Sequence, residues 1–426
     1  MHRPLPGLSI LSTLVALVFP GPPASAAVQE PCCRVEARRI AEESRVPGLD
    51  DRRFTHAGLW RAIGPYLDVE RLAVAELGAS LEGRAIRAVT FGTGPTTVLL
   101  WSQMHGDEST ATMALADLIR WFAEAPESDA LHRRLSERLT IVMIPMLNPD
   151  GAERFVRENA VGIDINRDAR RLATPEGRIL KAVRDSIGAD FGFNLHDQGT
   201  YAAGEGGALV AIGLLAPAAD EARSWSPVRQ RARGVAAVIA EALATDLPGR
   251  VALYDDEFAP RAFGDNMQAW GTSTVLIESG VLPDDPQKQE LRRMNVVAIL
   301  SALDAIARGG TGERPTVAYD GLPRNRAIPA DLLIAGGTIL TGAGAEVRAD
   351  VTVRFEDSAA RTGPRYGEIG DLAEVAAVDT VDASGLFLHA DTGEDGYLRR
   401  GAPVRLAARR GPDPDSELVW RISGDR

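Results

Sequence analysis

Apolar and polar positions alternate in two distinct rhythms along this chain. The runs Thr96–Trp101, Leu139–Pro145, Phe191–His196 and Thr274–Ile277 are short and nearly continuous in apolar residues. Such runs predict strands buried on both faces. Between them, Thr110–Glu124, Pro175–Ile187, Pro227–Ala244 and Pro286–Arg308 carry apolar residues at helical spacing. Ahead of them, Glu36–Glu43 and His56–Tyr66 read as short outer helices, and Leu77–Gly83 as a turn that feeds a strand over Arg84–Val89. The alternation predicts an α/β fold, with a mixed, largely parallel sheet and helices on both faces. Chemistry in such sheets collects at the carboxyl ends of the strands.

The rhythm changes after residue 310. Thr311–Ala327 is rich in Gly, Pro and Arg, and helical periodicity ends at Ala330. Short β-like runs follow at Asp331–Ala335, Gly337–Leu340, Ala349–Glu356, Gly385–Leu388, Val404–Ala408 and Glu417–Ile422. Turn residues separate them, as in a small sandwich or barrel. The expected organisation is a helical segment at 27–64, an α/β domain at 65–310, a linker at 311–329 and a small all-β domain at 330–426.

Residues 1–26 have the layout of a secretory signal. Arg3 supplies the positive charge, Leu8–Phe19 the apolar stretch, and Ala24-Ser25-Ala26 the cleavage site. The stretch is too short for a permanent membrane anchor, and Pro20, Pro22 and Pro23 argue against a core helix. Export by a bacterium to the periplasm or beyond is the expectation. The two cysteines, Cys32 and Cys33, are adjacent and cannot staple distant parts of a fold. Glu30-Pro31 ahead of them is no lipidation box, and no cysteine is left for a thiol mechanism. A net charge of −12 argues against nucleic acid and anionic lipid as partners.

Candidate chemistry sits at the ends of the apolar runs. His105-Gly106-Asp107-Glu108 closely follows the first, His196 ends the third and Glu278 the fourth. Two imidazoles and a carboxylate, with a fourth position for water, make a catalytic zinc set rather than a structural one. His-x-x-Glu alone is common in surface turns, and His196 alone could be a hydrogen-bonded core histidine. Further motifs accompany them: Gly78-x-Ser80-x-Glu82-Gly83-Arg84, Asn148-Pro149-Asp150-Gly151, Arg157 and Asp164-Ile165-Asn166-Arg167.

In this order and at these spacings the set resembles the zinc carboxypeptidase family, over roughly residues 65–308. The resemblance implies one Zn²⁺ per chain on His105, Glu108 and His196, with Asp164 orienting His105. It makes Glu278 the general base. Arg157, nine positions before Asn166, becomes the oxyanion stabiliser in preference to Arg154. Arg170 and Arg171 read as solvated surface residues. Asn166 and Arg167 would grip the carboxylate of a peptide-like substrate with a free C-terminus. The family's mobile-loop tyrosine has no clean match; Tyr254 and Tyr201 are the candidates. Asp255–Trp270 should line the specificity pocket, but it mixes Asp255, Asp256, Glu257 and Asp265 with Arg261. The charge of the preferred side chain therefore stays open.

Ala330–Thr338, Ala349–Val353 and Val381–Gly385 look like the β-sandwich that flanks amidohydrolase barrels. No barrel follows, and His389-Ala390-Asp391 is not a His-x-His pair, so the module is expected to lack catalysis of its own. The expected function is that of an exported zinc metallocarboxypeptidase. The alternatives are a zinc amidohydrolase acting on acyl-amino acids or peptidoglycan stem peptides, and a non-catalytic binding protein.

Overall fold

The computed structural model describes residues 32–342, 344–390 and 397–423; the expected signal segment lies outside them. The first nine strands are β1 Leu72–Ala79, β2 Ala85–Phe91, β3 Thr96–Trp101, β4 Leu139–Ile144, β5 Phe191–Asp197, β6 Tyr201–Ala203, β7 Ile212–Leu215, β8 Val251–Leu253 and β9 Ser273–Ser279. All but β6 form one sheet in the order β1-β2-β4-β3-β5-β9-β7-β8. Its centre, β4-β3-β5-β9, is parallel, and antiparallel pairings flank it on both sides.

Pleating sends alternate side chains to opposite faces. Val98 and Leu100 enter the larger core with the helices Thr110–Glu124 and Gln289–Arg308; Leu99 and Trp101 enter a smaller one with Leu180 and Phe263. The same rule puts Phe193 and Leu195 in the larger core and turns His196 to the other face. No helix among the described residues is long and apolar enough to cross a membrane.

The helices expected at Thr110–Glu124 and Pro175–Ile187 form over those spans. The helix expected from Pro286 starts at Gln289 instead. Asp285 accepts the N–H groups of Gln289, Glu290 and Leu291, and Lys288 sits at φ 51. Capping by an acid outside the run sets that boundary. The helix Ala130–Arg138 and the short helices Pro149–Arg154 and Phe263–Ala269 carry no expectation from the pattern.

The second sheet contains β11 Ala330–Leu340, β12 Glu346–Asp357, β13 Thr362–Gly370, β14 Ala377–Asp382, β15 Phe387–Ala390, β16 Arg405–Arg409 and β17 Leu418–Ser423, preceded by β10 Asn325–Ala327. The two runs expected at 331–340 are one strand with a bulge at Gly336-Gly337; Gly336 has φ +73. β11 pairs with β14 before the bulge and β15 after it, so the sheet branches there. Tyr366 N–H to Ala402 O (3.0 Å) and Val404 N–H to Pro364 O (2.8 Å) fold the β13 edge back towards β16. Leu332, Val353, Tyr366, Leu388 and Leu406 share the enclosed core.

The stretch expected as a plain linker contains the helix Val317–Asp320 and β10, which pairs with β6. Thr200 Oγ1 also donates to Asp331 Oδ1 at 2.7 Å. The loop after His196 is therefore stitched to the start of the second sheet.

Candidate active site

The His105 loop is shaped by its neighbours. A Cβ on Gly106 would lie 2.0 Å from the Gly151 carbonyl carbon, so only glycine lets the two turns touch. Asn148 Oδ1 accepts from Gly151 N–H (2.9 Å), while its Nδ2 reaches Met104 O (3.2 Å). Asp150, fully buried, accepts from Ser80 Oγ and Arg84 Nη1, both at 2.7 Å. The Asn-Pro-Asp-Gly and Gly-x-Ser-x-Glu-Gly-Arg motifs thus form one brace beneath the His105 loop.

His105, Glu108 and His196 converge with their ligand atoms within 4.8 Å of one another, all three buried. Glu108 places Oε1 2.7 Å from His105 Nδ1 and Oε2 2.7 Å from His196 Nδ1, and the two Nδ1 atoms are 3.1 Å apart. His105 Nε2 lies 3.0 Å from Asp164 Oδ1. A ring N–H held there leaves Nδ1 as a lone pair that faces the acceptors of Glu108 and His196, with Arg157 Nη1 3.1 Å away. Such a cluster calls for a cation, and the donor set suits Zn²⁺.

Titration behaviour expresses the same demand. Burial works against a charged His105, but the Glu108 charge and Asp164 outweigh it and raise its pKa to about 9. Burial opposes ionisation of Glu108 too, yet the two imidazoles hold it well below the carboxylate range. Burial pushes His196 down. A proton is drawn to the place where a metal would bind.

Glu278 on β9 is in register with His196 on β5, so the two side chains stand side by side on one face. Burial, then the Glu108 charge, pushes its carboxyl well above the usual range. β7 makes room with Gly213, whose Cβ would meet Glu278 Cβ at 3.3 Å.

Arg157 Nη2 and Nε bind Asp164 Oδ2 at 3.0 and 3.2 Å, and Nη1 reaches Glu108 Oε1 at 3.2 Å. Arg154 turns away to Glu82, and Arg170 and Arg171 are exposed. Asn166 is fixed by Phe263 N–H to Oδ1 (2.8 Å), and exposed Arg167 donates to Asn166 O (2.8 Å).

One cleft of about 300 Å³ is lined by His105, Glu108, His196, Glu278, Arg157, Asn166, Arg167 and Tyr254. Both candidate tyrosines line it, their ring centroids 6.5 Å apart. Tyr254 follows β8 and keeps its proton firmly, because the Glu278 charge and burial raise its pKa. Asp255, Glu257 and Asp265 line the cleft as well, whereas Arg261 does not. Burial raises Asp265 to about 6. Sequence reasoning did not single out Asn194 or Gln198 as lining residues; both are buried and both leave a side-chain atom unpartnered. Their closeness to His196 in the chain was the only available signal.

The other described histidines are spoken for. His56, His132 and His389 each pair with a backbone carbonyl, of Ala85, Phe122 and Gly411 respectively. Asp391 lies outside the described residues.

Residues 69–186 match the model of the zinc carboxypeptidase family, Peptidase M14. That span holds His105, Glu108, Arg157, Asp164, Asn166 and Arg167, while the sheet brings in His196 and Glu278 from beyond it. An uncharacterised protein of Zymomonas mobilis is 30% identical over 124 residues, 28% of this chain and 32% of that protein. A D-aminoacylase of Alcaligenes xylosoxydans is 42% identical over 78 residues, 17% of this chain and 14% of that protein. The chain thus spans about a third or less of the length of these curated relatives. A metallo-carboxypeptidase structure from Burkholderia cenocepacia aligns with 23% identity and a TM-score of 0.46, covering 59% of this chain and 69% of that one. Over residues 69–186, within its N-terminal α/β part, this chain is similar to the zinc carboxypeptidase family.

Proposed function

We propose that the protein is an exported zinc metallocarboxypeptidase that removes C-terminal residues from peptide-like substrates. One observation carries the reading: a buried His–Glu–His cluster and a buried glutamate on the adjacent strand share a cleft with Asn166 and Arg167. His105, Glu108 and His196 would hold one Zn²⁺. Bound there, the ion lowers the pKa of water towards ~7 and polarises a carbonyl.

The chain's own groups do the rest. Glu278, whose carboxylate is made more basic by its apolar setting, would take a proton from the attacking water and return it to the leaving amine nitrogen. Asp164 holds His105 in one orientation and also tethers Arg157, so that the guanidinium waits beside the cleft for the developing oxyanion. Asn166 and Arg167 bind the terminal carboxylate, and Tyr254 closes the same end as a neutral donor. Asp255, Glu257 and Asp265 give the side-chain pocket an acidic lining, which favours a basic C-terminal residue. Residues 330–426 act as an accessory β domain without catalysis of its own.

Amidating the C-terminus tests the reading. A charge-assisted bond contributes about 1.5–3 kcal/mol, so the amide should lose roughly tenfold to hundredfold in kcat/KM. Arg167→Ala should lose as much on the free peptide and little more on the amide, because both changes remove the same contact. Equal cleavage of amide and free acid would point to an amidase or endopeptidase instead. A panel with acyl-amino acids and muropeptides separates the amidohydrolase alternative, and a chain that hydrolyses none of them while binding them would be a binding protein.

A further inference from the structure

A second cavity, of about 600 Å³, adjoins the first and is walled by both sheets. Glu108, Arg157, Asp197, Gln198 and Gly199 line both cavities, so the two meet at the metal-binding cluster. Asn166 and Arg167 line only the smaller one. If these two hold the C-terminal carboxylate, as the carboxypeptidase reading requires, the larger cavity lies on the other side of the scissile bond. The acyl part of the substrate has to go there.

The far wall of that cavity is the turn between β12 and β13, through Asp357, Ser358, Ala359, Thr362 and Gly363. It is clamped to the α/β part. Asp357 receives Arg53 Nη2 at 3.0 Å and pairs with Arg52; the side chains of Arg52 and Asp357 are only 7% and 8% exposed. Burial opposes ionisation of Asp357, but the Ala360 N–H and both arginines keep its pKa below the usual value. Arg52 also donates to Pro286 O (3.2 Å), and its carbonyl accepts from Ser109 Oγ (2.7 Å), the residue after Glu108. Both guanidinium groups lie over the Phe155 ring, 5.3 and 4.5 Å from its centre. A buried pair held this tightly fixes the turn relative to the metal-binding loop.

We propose that the 357–363 turn is a fixed stop at the end of an acyl-side subsite. It confines the enzyme to substrates with a short acyl part: an acyl group or a few residues ahead of the scissile bond. A cavity of this size holds a small molecule or a short peptide segment, as pockets of ~300–1,000 Å³ do, rather than the tail of a folded protein. On this view the second sheet takes part in substrate selection.

The test uses the zinc-loaded full chain and acetylated peptides that share one C-terminal residue, with one, two, four and eight residues ahead of it. For the unaltered protein, kcat/KM should fall by about tenfold or more towards the longest peptide, the equivalent of ~1.4 kcal/mol. Asp357→Asn, which releases the turn, should restore most of that loss. Ala359→Trp, which thickens the wall without touching the clamp, should move the fall to shorter peptides. A flat length profile in the unaltered protein, or one profile shared by all three proteins, would overturn the proposal while leaving the carboxypeptidase reading intact. No cleavage at any length would overturn that reading and the subsite with it.

Discussion

The two sheets put their buried polar residues to opposite uses. At the end of the parallel sheet, His105, His196 and Glu108 turn acceptor atoms towards one another, and Glu278 stands beside them with its carboxyl pushed up by burial. In the second sheet the polar groups satisfy each other. Asp331 accepts from Thr200 Oγ1 and Phe355 N–H, Asp350 from Gly336 and Leu372 N–H, and His389 pairs with Gly411 O. Burying a polar group without a partner is costly, so folds normally avoid it. A buried cluster of converging acceptor atoms is one that a cation from solution can complete.

The most demanding way to break this contrast is Glu278→Gln. The amide keeps the shape of the side chain but cannot take up a proton, so turnover should fall by ~10²-fold to 10⁴-fold. Zinc content, measured by elemental analysis after reconstitution, should remain at one per chain. Near-normal turnover would mean that the unpaired acid is not the base.

Metal binding offers the next largest effect. A ligand that binds only the folded state at a thousandfold excess over its Kd stabilises it by about 4 kcal/mol. Zinc should therefore raise the melting temperature of the unaltered chain markedly and that of His196→Ala hardly at all. The acceptor-rich cluster also predicts a pH dependence without zinc. The folded pKa of His105, about 9, lies above its unfolded value, so the stability it adds is complete below pH ~6.5. That contribution is lost as pH rises through 9. Zinc should flatten this slope, because it replaces the proton. A melting curve indifferent to zinc at every pH would break the comparison at its root.

Much of this contrast could be read in the sequence before any coordinates. The proposed ligands and base lie at or shortly after the ends of apolar runs, and a parallel sheet gathers strand ends into one crevice. Long-range register was not legible: nothing local says that His196 faces Glu278 across β5 and β9. The acidic pocket stayed ambiguous for a similar reason. Arg261 lies in the same stretch as Asp265, and only the turn into the helix Phe263–Ala269 separates them. In the second sheet the strands were visible, but β13 and β14 were not. The first, Thr362–Gly370, is punctuated by glycines and a proline, and in the second, Ala377–Asp382, no position is fully buried, so neither shows an apolar run.

A smaller effect sharpens the picture of the pocket. Ionised Asp265 should favour a C-terminal lysine over leucine, and Asp265→Asn should reduce that ratio by roughly tenfold, the worth of one charge-assisted bond. Asp265 titrates at about 6, so the preference should also fade as pH drops below that value. Taking the ratio of the two substrates cancels the titration of Glu278, which both share. A lysine preference that persists unchanged at pH 5 would assign the selection to Asp255 or Glu257.

The smallest effect is expected where the polar group is already satisfied. His389 gives Nε2 to Gly411 O at 3.2 Å, on the strand that pairs β11 with β16. His389→Gln can keep a donor near that carbonyl, and His389→Phe cannot. Losing a neutral hydrogen bond typically costs about 0.5–1.5 kcal/mol, which should appear as a modest fall in melting temperature for Phe and less for Gln. Zinc stoichiometry and kcat/KM on the shortest peptide should stay the same, since no atom of this residue reaches either cavity. Should His389→Phe lower zinc content instead, the second sheet would hold a ligand after all, and the division of labour between the two sheets would be wrong.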